Sequence, residues 1–540
     1  MASSRRFWAR LWEAKHRDTL IIAFLWLIAV AGALTRPFLP IDETRYVSVA
    51  WEMWYSHSWW VPLMNGEAYA DKPPLLFWLI HIGWEAFGVN DWWPKLIGPL
   101  ASLVAMIHLY RVARRLGYAG SRARLAPMMM MAMLMWSLYS SALMFDILLT
   151  ACLLGAISPL IQGQLTTRKS LVSGVWLGLA LLAKGPAVFV TLVPILLAMR
   201  WWRERQLGPE GRMRLGLSLL IGTSILLCWA LSASWLGGSS YARELLWGQS
   251  VDRLHDAIAH AHPLWWYIPW LPLITFPWMV WPATWPRLPR FRYQRLAWVW
   301  LVIPLIVFSL ISGKQIHYLM PLIPALALVI MDRIGQSQLD SDVPHRTRAP
   351  ALAIGLLGVV GLSLMIWGKG AVGPSTISPL GAFALIAWAG LLWRWHWASA
   401  GAAVRGIALG TGLAVLIATQ FMLGPFWNRF DVRPPSALLA QLESQDIPVA
   451  FNGDGYQATF QFAGRLKRPL MTLDGSTARM CKFNKQFPTG WVVARDRDVN
   501  HLIVDDNAAH TFKYRGGQLV IVPVHALFPS GYEANCSGHS

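Results

Sequence analysis

Apolar runs recur along this chain at about 19–34, 96–110, 125–139, 143–161, 171–183, 187–199, 215–235, 264–281, 296–311, 319–331, 351–367, 380–393 and 407–422. A hydrocarbon core takes roughly 20 helical residues to cross, so the pattern predicts an α-helical polytopic membrane protein with about thirteen transmembrane helices. The polar connections test that count. Arg5, Arg6, Arg10, Lys15 and Arg17 precede the first run. Later clusters stand at Arg111, Arg114, Arg115, Arg122 and Arg124; at Arg168 and Lys169; at Arg200, Arg203, Arg205, Arg212 and Arg214; at Arg287, Arg290, Arg292 and Arg295; at Arg333, Arg346 and Arg348; and at Arg394 and Arg405. Every cluster falls on an even-numbered connection, the side of the amino terminus. Cytoplasmic connections collect Lys and Arg, so the alternation predicts a cytoplasmic amino terminus, an odd number of spans and an external carboxyl terminus. A cleaved signal peptide is the rival reading of the first run, because Ala29, Ala31 and Ala33 offer small-residue cleavage patterns.

Connections on the other face are long, acidic or mixed, and rich in Trp, Tyr and His. They cover about 36–95, the corners at Asp146 and Lys184, about 237–263, 312–318 and everything after 422. Residues 1–426 read as the membrane domain and 427–540 as a small external mixed α/β domain. Strands are predicted there over 448–451, 490–494, 501–504 and 518–522, with Asn452-Gly453-Asp454-Gly455 as a turn signal.

Composition agrees with a membrane chain: of 540 residues, 55% are hydrophobic and 14% charged, and the mean hydropathy is +0.41. The formal charge of +19 does not point to nucleic acid. Residues 427–540 are almost neutral, no basic face interleaved with aromatics is visible, and the excess sits between the spans, where orientation explains it. The 33 Trp, with doublets such as Trp59-Trp60 and Trp265-Trp266, suit membrane interfaces and contact with membrane lipids. Cys152 and Cys228 read as small hydrophobes; Cys481 and Cys536 lie in the polar tail and can pair if it is extracytoplasmic.

The charged residues that could do chemistry gather in the external connections. Asp42-Glu43-Thr44-Arg45-Tyr46 opens an amphipathic stretch that predicts a helix along the membrane interface with Asp42 at the water–lipid boundary; capping that helix is the plain alternative for Asp42 and Glu43. Tyr69-Ala70-Asp71-Lys72-Pro73-Pro74 sets opposite charges on a stiff, extended segment, suited to holding a phosphate with Lys72, although a surface ion pair is the commoner meaning. Asp146 and Lys184 each end a span, where an ionisable residue is costly and either functional or paired. Their plain alternative is a salt bridge to each other or to Arg45. His81 and His108 read as packing residues, and Met128 to Met131 as lipid-facing or core filler.

Taken together, Asp42-Glu43-x-Arg45-Tyr46, Tyr69-x-Asp71-Lys72-Pro73-Pro74, Phe145-Asp146, Ala183-Lys184-Gly185-Pro186, the His-rich stretch before Pro263-Leu264-Trp265-Trp266-Tyr267, and Gly313-Lys314-x-x-x-Tyr318-x-x-Pro321 carry a resemblance. The chain resembles the bacterial lipid A aminoarabinose transferases and, more distantly, the protein O-mannosyltransferases, membrane glycosyltransferases of the GT-C fold. The resemblance implies a GT-C membrane domain with a C-terminal periplasmic domain in the bacterial inner membrane. It also implies transfer of a sugar from a polyprenyl (undecaprenyl) phosphate-linked donor to a periplasmic acceptor such as lipid A or another envelope glycan. Asp42 matches the catalytic carboxylate, with Glu43 and Asp146 beside it. Lys72 and Tyr318 match groups on the donor phosphate, with Arg45, Tyr46, Tyr69, Lys184 and Lys314 as further substrate contacts. Asp71 and His260 match ligands of a divalent metal, Zn or Mg/Mn. The family usually has Glu where Asp71 stands, one methylene longer, and His255 and His262 compete with His260. A protein acceptor, or a transporter of lipid-linked sugars, is the alternative; transporters place polar residues near the midplane in paired halves, and no internal repeat is seen here. A membrane-anchored binding protein is a third reading, and the tail shows no compact catalytic constellation to support it.

Overall fold

The computed structural model describes residues 2–245, 262–285, 291–334, 345–368, 375–453, 455–499 and 508–527. Among them, seven helical stretches are long and apolar enough to cross a membrane: His16–Thr35, Trp92–Arg115, Thr167–Leu197, Pro209–Arg243, Ile316–Arg333, Arg348–Trp367 and Ala400–Met422. Shorter apolar helices, Leu75–Phe87, Phe145–Leu160, Gln294–Leu310 and Pro379–Arg394, stand with them. Glycines let neighbouring helices close up. A Cβ on Gly174 would lie 2.8 Å from Ile221 Cβ, and one on Gly178 2.5 Å from Ile225 Cδ1, so helix Pro209–Arg243 packs flush on Thr167–Lys184.

The chain departs from the expected helices in two places that explain each other. Pro269, Pro272 and Pro277 interrupt the run at 264–281, between Pro263 and Pro282, and it forms a 3-10 turn (Leu264–Trp270) and a short helix (Leu271–Thr275) in place of a continuous span. Each proline removes a ladder donor and clashes with the preceding turn. The run at 125–139 is likewise split at Met133, whose ψ is 127°. Each segment satisfies the other's open backbone: Leu134 N donates to Phe276 O at 3.0 Å, and Trp278 Nε1 donates to Met129 O at 2.9 Å. The expected set of about thirteen spans therefore does not map one to one onto continuous helices.

Two ends of the bundle differ in chemistry. At one, Asp18 is fully buried and accepts from Arg405 at 2.6 Å and Arg124 at 3.3 Å, while Tyr118 and Arg122 hold Asp332. Asp42, Asp146 and Lys184 lie at the other end of these helices.

After the last span, five strands form one mixed sheet in the order Met471–Thr472, Val449–Asn452, Trp491–Arg495, Gly517–Pro523, His510–Tyr514. The first three run parallel and the last two pair antiparallel. The strand expected at 501–504 lies outside the described residues; Met471–Thr472 and His510–Tyr514 were not expected from the pattern. Cys481 is disulfide-bonded, Cys536 lies outside the described residues, and Cys152 and Cys228 are free. The segment 455–470 is stapled to the helix Asp42–Tyr55: Trp51 Nε1 donates to Leu466 O at 2.8 Å, Tyr55 Oη to Lys467 O at 3.1 Å, and Phe462 N to Ser48 Oγ at 3.1 Å.

Candidate active site

Where the first span ends, a buried ion pair fixes the chain. Glu43 is 3% exposed and its carboxylate is fully engaged. Arg36 donates to both oxygens at 2.5 and 2.7 Å, and the backbone N–H groups of Leu39 and Leu143 each donate at 2.7 Å. Two charge-assisted bonds and two amide bonds consume its acceptor capacity, so Glu43 ties the first span to the start of helix Phe145–Ile157. Neither it nor Asp42 caps the interfacial helix in the usual way: the N-cap is Ile41 and no side chain caps it.

Asp42, one residue earlier, faces outward with its side chain 44% exposed. Its Oδ1 accepts from Arg45 Nη2 at 2.6 Å and Tyr46 Oη at 3.3 Å. The spacing is helical: residues three and four apart share a face, so Asp42-x-x-Arg45-Tyr46 converges on one carboxylate oxygen and leaves the other open. Burial works against the charge on Arg45, but its surroundings, the Asp42 carboxylate among them, outweigh it and the guanidinium stays charged. Burial pushes the Tyr46 and Tyr69 hydroxyls above the ordinary phenol range, so both stay donors.

Tyr69 and Lys72 arrive on the segment after a two-residue hairpin, Leu63–Met64 with Glu67–Ala68. Tyr69 Oη and Arg45 Nε are buried and have no hydrogen-bond partner among the described residues. Lys72 Nζ has one long contact, 3.4 Å to its neighbour's carbonyl. Burial lowers the Lys72 ammonium to about 8; Asp71 and Asp42 pull it back up, while Arg45 and Lys184 press it down. Lys72 thus feels the charges of all four groups. Unpaired buried donors are rare; Tyr69 Oη and Arg45 Nε, with the weakly held Lys72 ammonium and an open carboxylate oxygen beside them, are what an anionic, oxygen-rich ligand requires.

Deeper in, Asp146 is 2% exposed and accepts from Lys184 Nζ at 2.5 Å. Lys184 also lies over the Tyr318 ring at 4.8 Å, and Tyr46 meets Phe145 edge to face at 4.8 Å. His317 completes this cluster: its Nε2 is 3.9 Å from Asp146 Oδ2 and its ring stands edge-on to Tyr318 at 4.9 Å. Sequence reasoning passed over His317, although it sits inside the Gly313-Lys314-x-x-x-Tyr318 motif; its place one residue before Tyr318 was the signal available.

Lys314 behaves differently. It is 2% exposed and donates to the backbone carbonyls of His262 at 2.8 Å, Ile311 at 2.5 Å and Ser312 at 3.5 Å. Its ammonium therefore ties the end of helix Phe291–Leu310 to the segment that begins at His262. His81, against Ala50 O at 2.8 Å, and His108, edge-on to Trp176 at 4.8 Å, are packed among apolar neighbours.

His260 and His255 lie outside the described residues, and no group of three or more His, Cys, Asp or Glu that could hold a metal forms among the described ones. Asp71 is exposed, and His262 is stacked flat on Trp266 at 4.4 Å. The described residues do not assemble a metal-ligand set.

Comparison with known proteins follows the same lines. The family model of the dolichyl-phosphate-mannose-protein mannosyltransferases matches residues 71–229. An undecaprenyl phosphate-alpha-4-amino-4-deoxy-L-arabinose arabinosyl transferase of Pseudomonas fluorescens is 29% identical over 364 residues, covering 64% of each chain. Another such transferase, from Erwinia tasmaniensis, is 26% identical over 430 residues, 74% of this chain and 75% of the relative. The chain thus spans just under two thirds of the length of the first of these relatives. Among solved structures, ArnT from Cupriavidus metallidurans in the apo state superimposes with a TM-score of 0.70 at 18% identity, over 95% of this chain and 99% of that one. The same protein bound to undecaprenyl phosphate gives 0.68 at 19%, over 94% and 98%. The fold is shared.

Proposed function

We propose that this aminoarabinose transferase-like membrane chain of the GT-C fold is a glycosyltransferase that takes a sugar from a polyprenyl phosphate carrier and passes it to an acceptor at the outer face of a bacterial inner membrane. One observation carries the reading. Asp42, with one oxygen held by Arg45 and Tyr46 and the other open, adjoins the unpartnered donors Arg45 Nε and Tyr69 Oη and the weakly held Lys72 Nζ.

That juxtaposition suits the chemistry. The bond to break joins the anomeric carbon to a phosphate oxygen, and the electron pair leaves with the phosphate. Fixed donors that meet the growing phosphate charge lower the barrier without reorganising. Lys72, Arg45 and Tyr69 supply them. On the opposite side of the anomeric carbon, the open oxygen of Asp42 orients the acceptor oxygen and takes its proton where it carries one. Direct displacement inverts the anomeric centre. Asp146, neutralised by Lys184, lines the inner wall with His317 and Tyr318, and the reading places the sugar ring against them. Residues 1–426 form the catalytic membrane domain and 427–540 a periplasmic domain over the site. The charge alternation supports a cytoplasmic amino terminus. Lipid A and related envelope glycans are the acceptors that the family resemblance of the sequence motifs suggests.

The test is mass spectrometry of envelope lipids and glycans from cells with wild-type protein, with Asp42→Asn and with none. One sugar mass should disappear together in the last two. If no sugar-bearing species changes, or if Asp42→Asn supports the wild-type pattern, the reading fails.

A further inference from the structure

Arg45 is held from both sides, and the second hand comes from the far end of the chain. Its Nη2 donates to Asp42, while Nη1 donates to Gln457 Oε1 at 2.7 Å, across 412 positions of sequence. A guanidinium only donates, so the amide must turn its oxygen toward Arg45. Gln457 itself is set in place. Gly455 (φ 53°) and Ala458 (φ 49°) bend the backbone around it. The buried Tyr456 donates to Gln461 Oε1 at 2.6 Å, and Gln461 Nε2 donates to Asn65 Oδ1 at 3.0 Å. The loop after strand Val449–Asn452 is therefore tied to the membrane-side hairpin through Gln461, and Tyr456 is held to the same amide on the other flank of the contact.

We infer that Gln457 is a positioning residue of the site: through it the carboxyl-terminal sheet unit holds Arg45 in register, with one N–H group committed to Asp42 and Nε aimed at the donor phosphate. The choice of a neutral acceptor fits this role. An amide oxygen fixes a guanidinium without cancelling its charge, whereas a carboxylate at the same place would set Arg45 between two anions and repel a phosphate. The unit beyond the last span thereby completes the recess and is more than a cover over it. This inference rests on the donor-phosphate reading above.

The experiment uses the full chain in lipid nanodiscs, titrated with undecaprenyl phosphate, for wild type, Gln457→Ala, Gln457→Glu, Arg45→Ala and Arg465→Ala. The last removes a different tie between the same parts, Arg465 to Asp91 at 2.8 Å, and controls for loosened docking. Binding should weaken at least tenfold in Arg45→Ala and roughly three- to tenfold in Gln457→Ala. Gln457→Glu, which keeps the hydrogen bond, should lose as much as Gln457→Ala or more. Arg465→Ala should bind as wild type. Wild-type affinity in Gln457→Ala, recovery in Gln457→Glu, or an equal loss in Arg465→Ala overturns the inference while leaving the donor reading intact. Failure of wild type itself to bind overturns both.

Discussion

Asp42 and Glu43 are covalent neighbours whose carboxylates have opposite surroundings: the first is open on one oxygen, with its side chain 44% exposed, and the second is sealed against Arg36 with its side chain 4% exposed. Exchange of each should therefore read out differently. Asp42→Asn keeps the volume and the contact with Arg45, so stability should move by less than about 0.5 kcal/mol, while transfer falls at least a hundredfold. Glu43→Ala leaves Arg36 buried without its anion and should cost about 3–5 kcal/mol. Thermal melting with a sugar-transfer assay on the same preparations separates the two. Equal loss of stability in both variants would refute the division of labour.

Lys72 should impose a pH dependence. Burial lowers its ammonium to about 8 in the free protein, and only the protonated form attracts a phosphate. Undecaprenyl phosphate affinity should be flat between about pH 7 and the Lys72 value, then fall up to tenfold per unit above it. Lys72→Met should bind weakly with no such slope. A wild-type affinity that stays level to pH 10 would show that Lys72 does not contact the phosphate.

Asp146 and Lys184 pose a different question, because a buried pair can be structural as well as functional. Lys184→Met strands the Asp146 carboxylate, which is 2% exposed, and should cost about 3–5 kcal/mol. Adding Asp146→Asn removes the orphan charge and should restore most of the stability. If the pair also shapes the sugar pocket, the double variant folds and melts like wild type but transfers slowly. Full activity in the double variant would reduce the pair to a structural bridge.

Much of this arrangement was legible in the chain. Hydropathy runs placed most helices, and the arginine clusters sorted their ends, so that Asp42, Lys72, Asp146, Lys184 and Tyr318 could be assigned to one face before any geometry. Local spacing also put Arg45 and Tyr46 on the face of Asp42. The pattern was silent where contacts join distant segments. Gln457 sits in a polar loop without periodicity, and only tertiary stapling brings it to Arg45. Lys314 looks like a phosphate ligand in its motif, yet the carbonyls of His262 and Ile311 accept its hydrogen bonds, the second of them a demand that a helix end makes and sequence does not display. Hydropathy counted 264–281 as a span because the measure ignores what Pro269, Pro272 and Pro277 do to a helical ladder.

Glu52 offers the sharpest test of how the phosphate side is built. It is 4% exposed, and its oxygens accept Gly66 N and Asn65 N, each at 2.7 Å. Asn65 and Gly66 form the turn, at φ 56° and 86° respectively, the left-handed pair that two-residue hairpins prefer and that Asn-Gly supplies. The strand after the turn leads into Tyr69, whose N donates to Pro62 O at 2.8 Å, and then into Lys72. Glu52→Ala would leave the two amide groups of this partly exposed turn without their carboxylate acceptor, at a cost of about 1–3 kcal/mol, and should free the turn that sets Lys72. Gly66→Ala should be worse than its backbone strain alone, because a Cβ there would lie 2.8 Å from Pro469 Cγ of the carboxyl-terminal unit. Both variants should melt earlier and bind undecaprenyl phosphate more weakly, although neither residue touches the recess. An unchanged affinity in a folded Glu52→Ala protein would mean that Lys72 reaches its place without the hairpin.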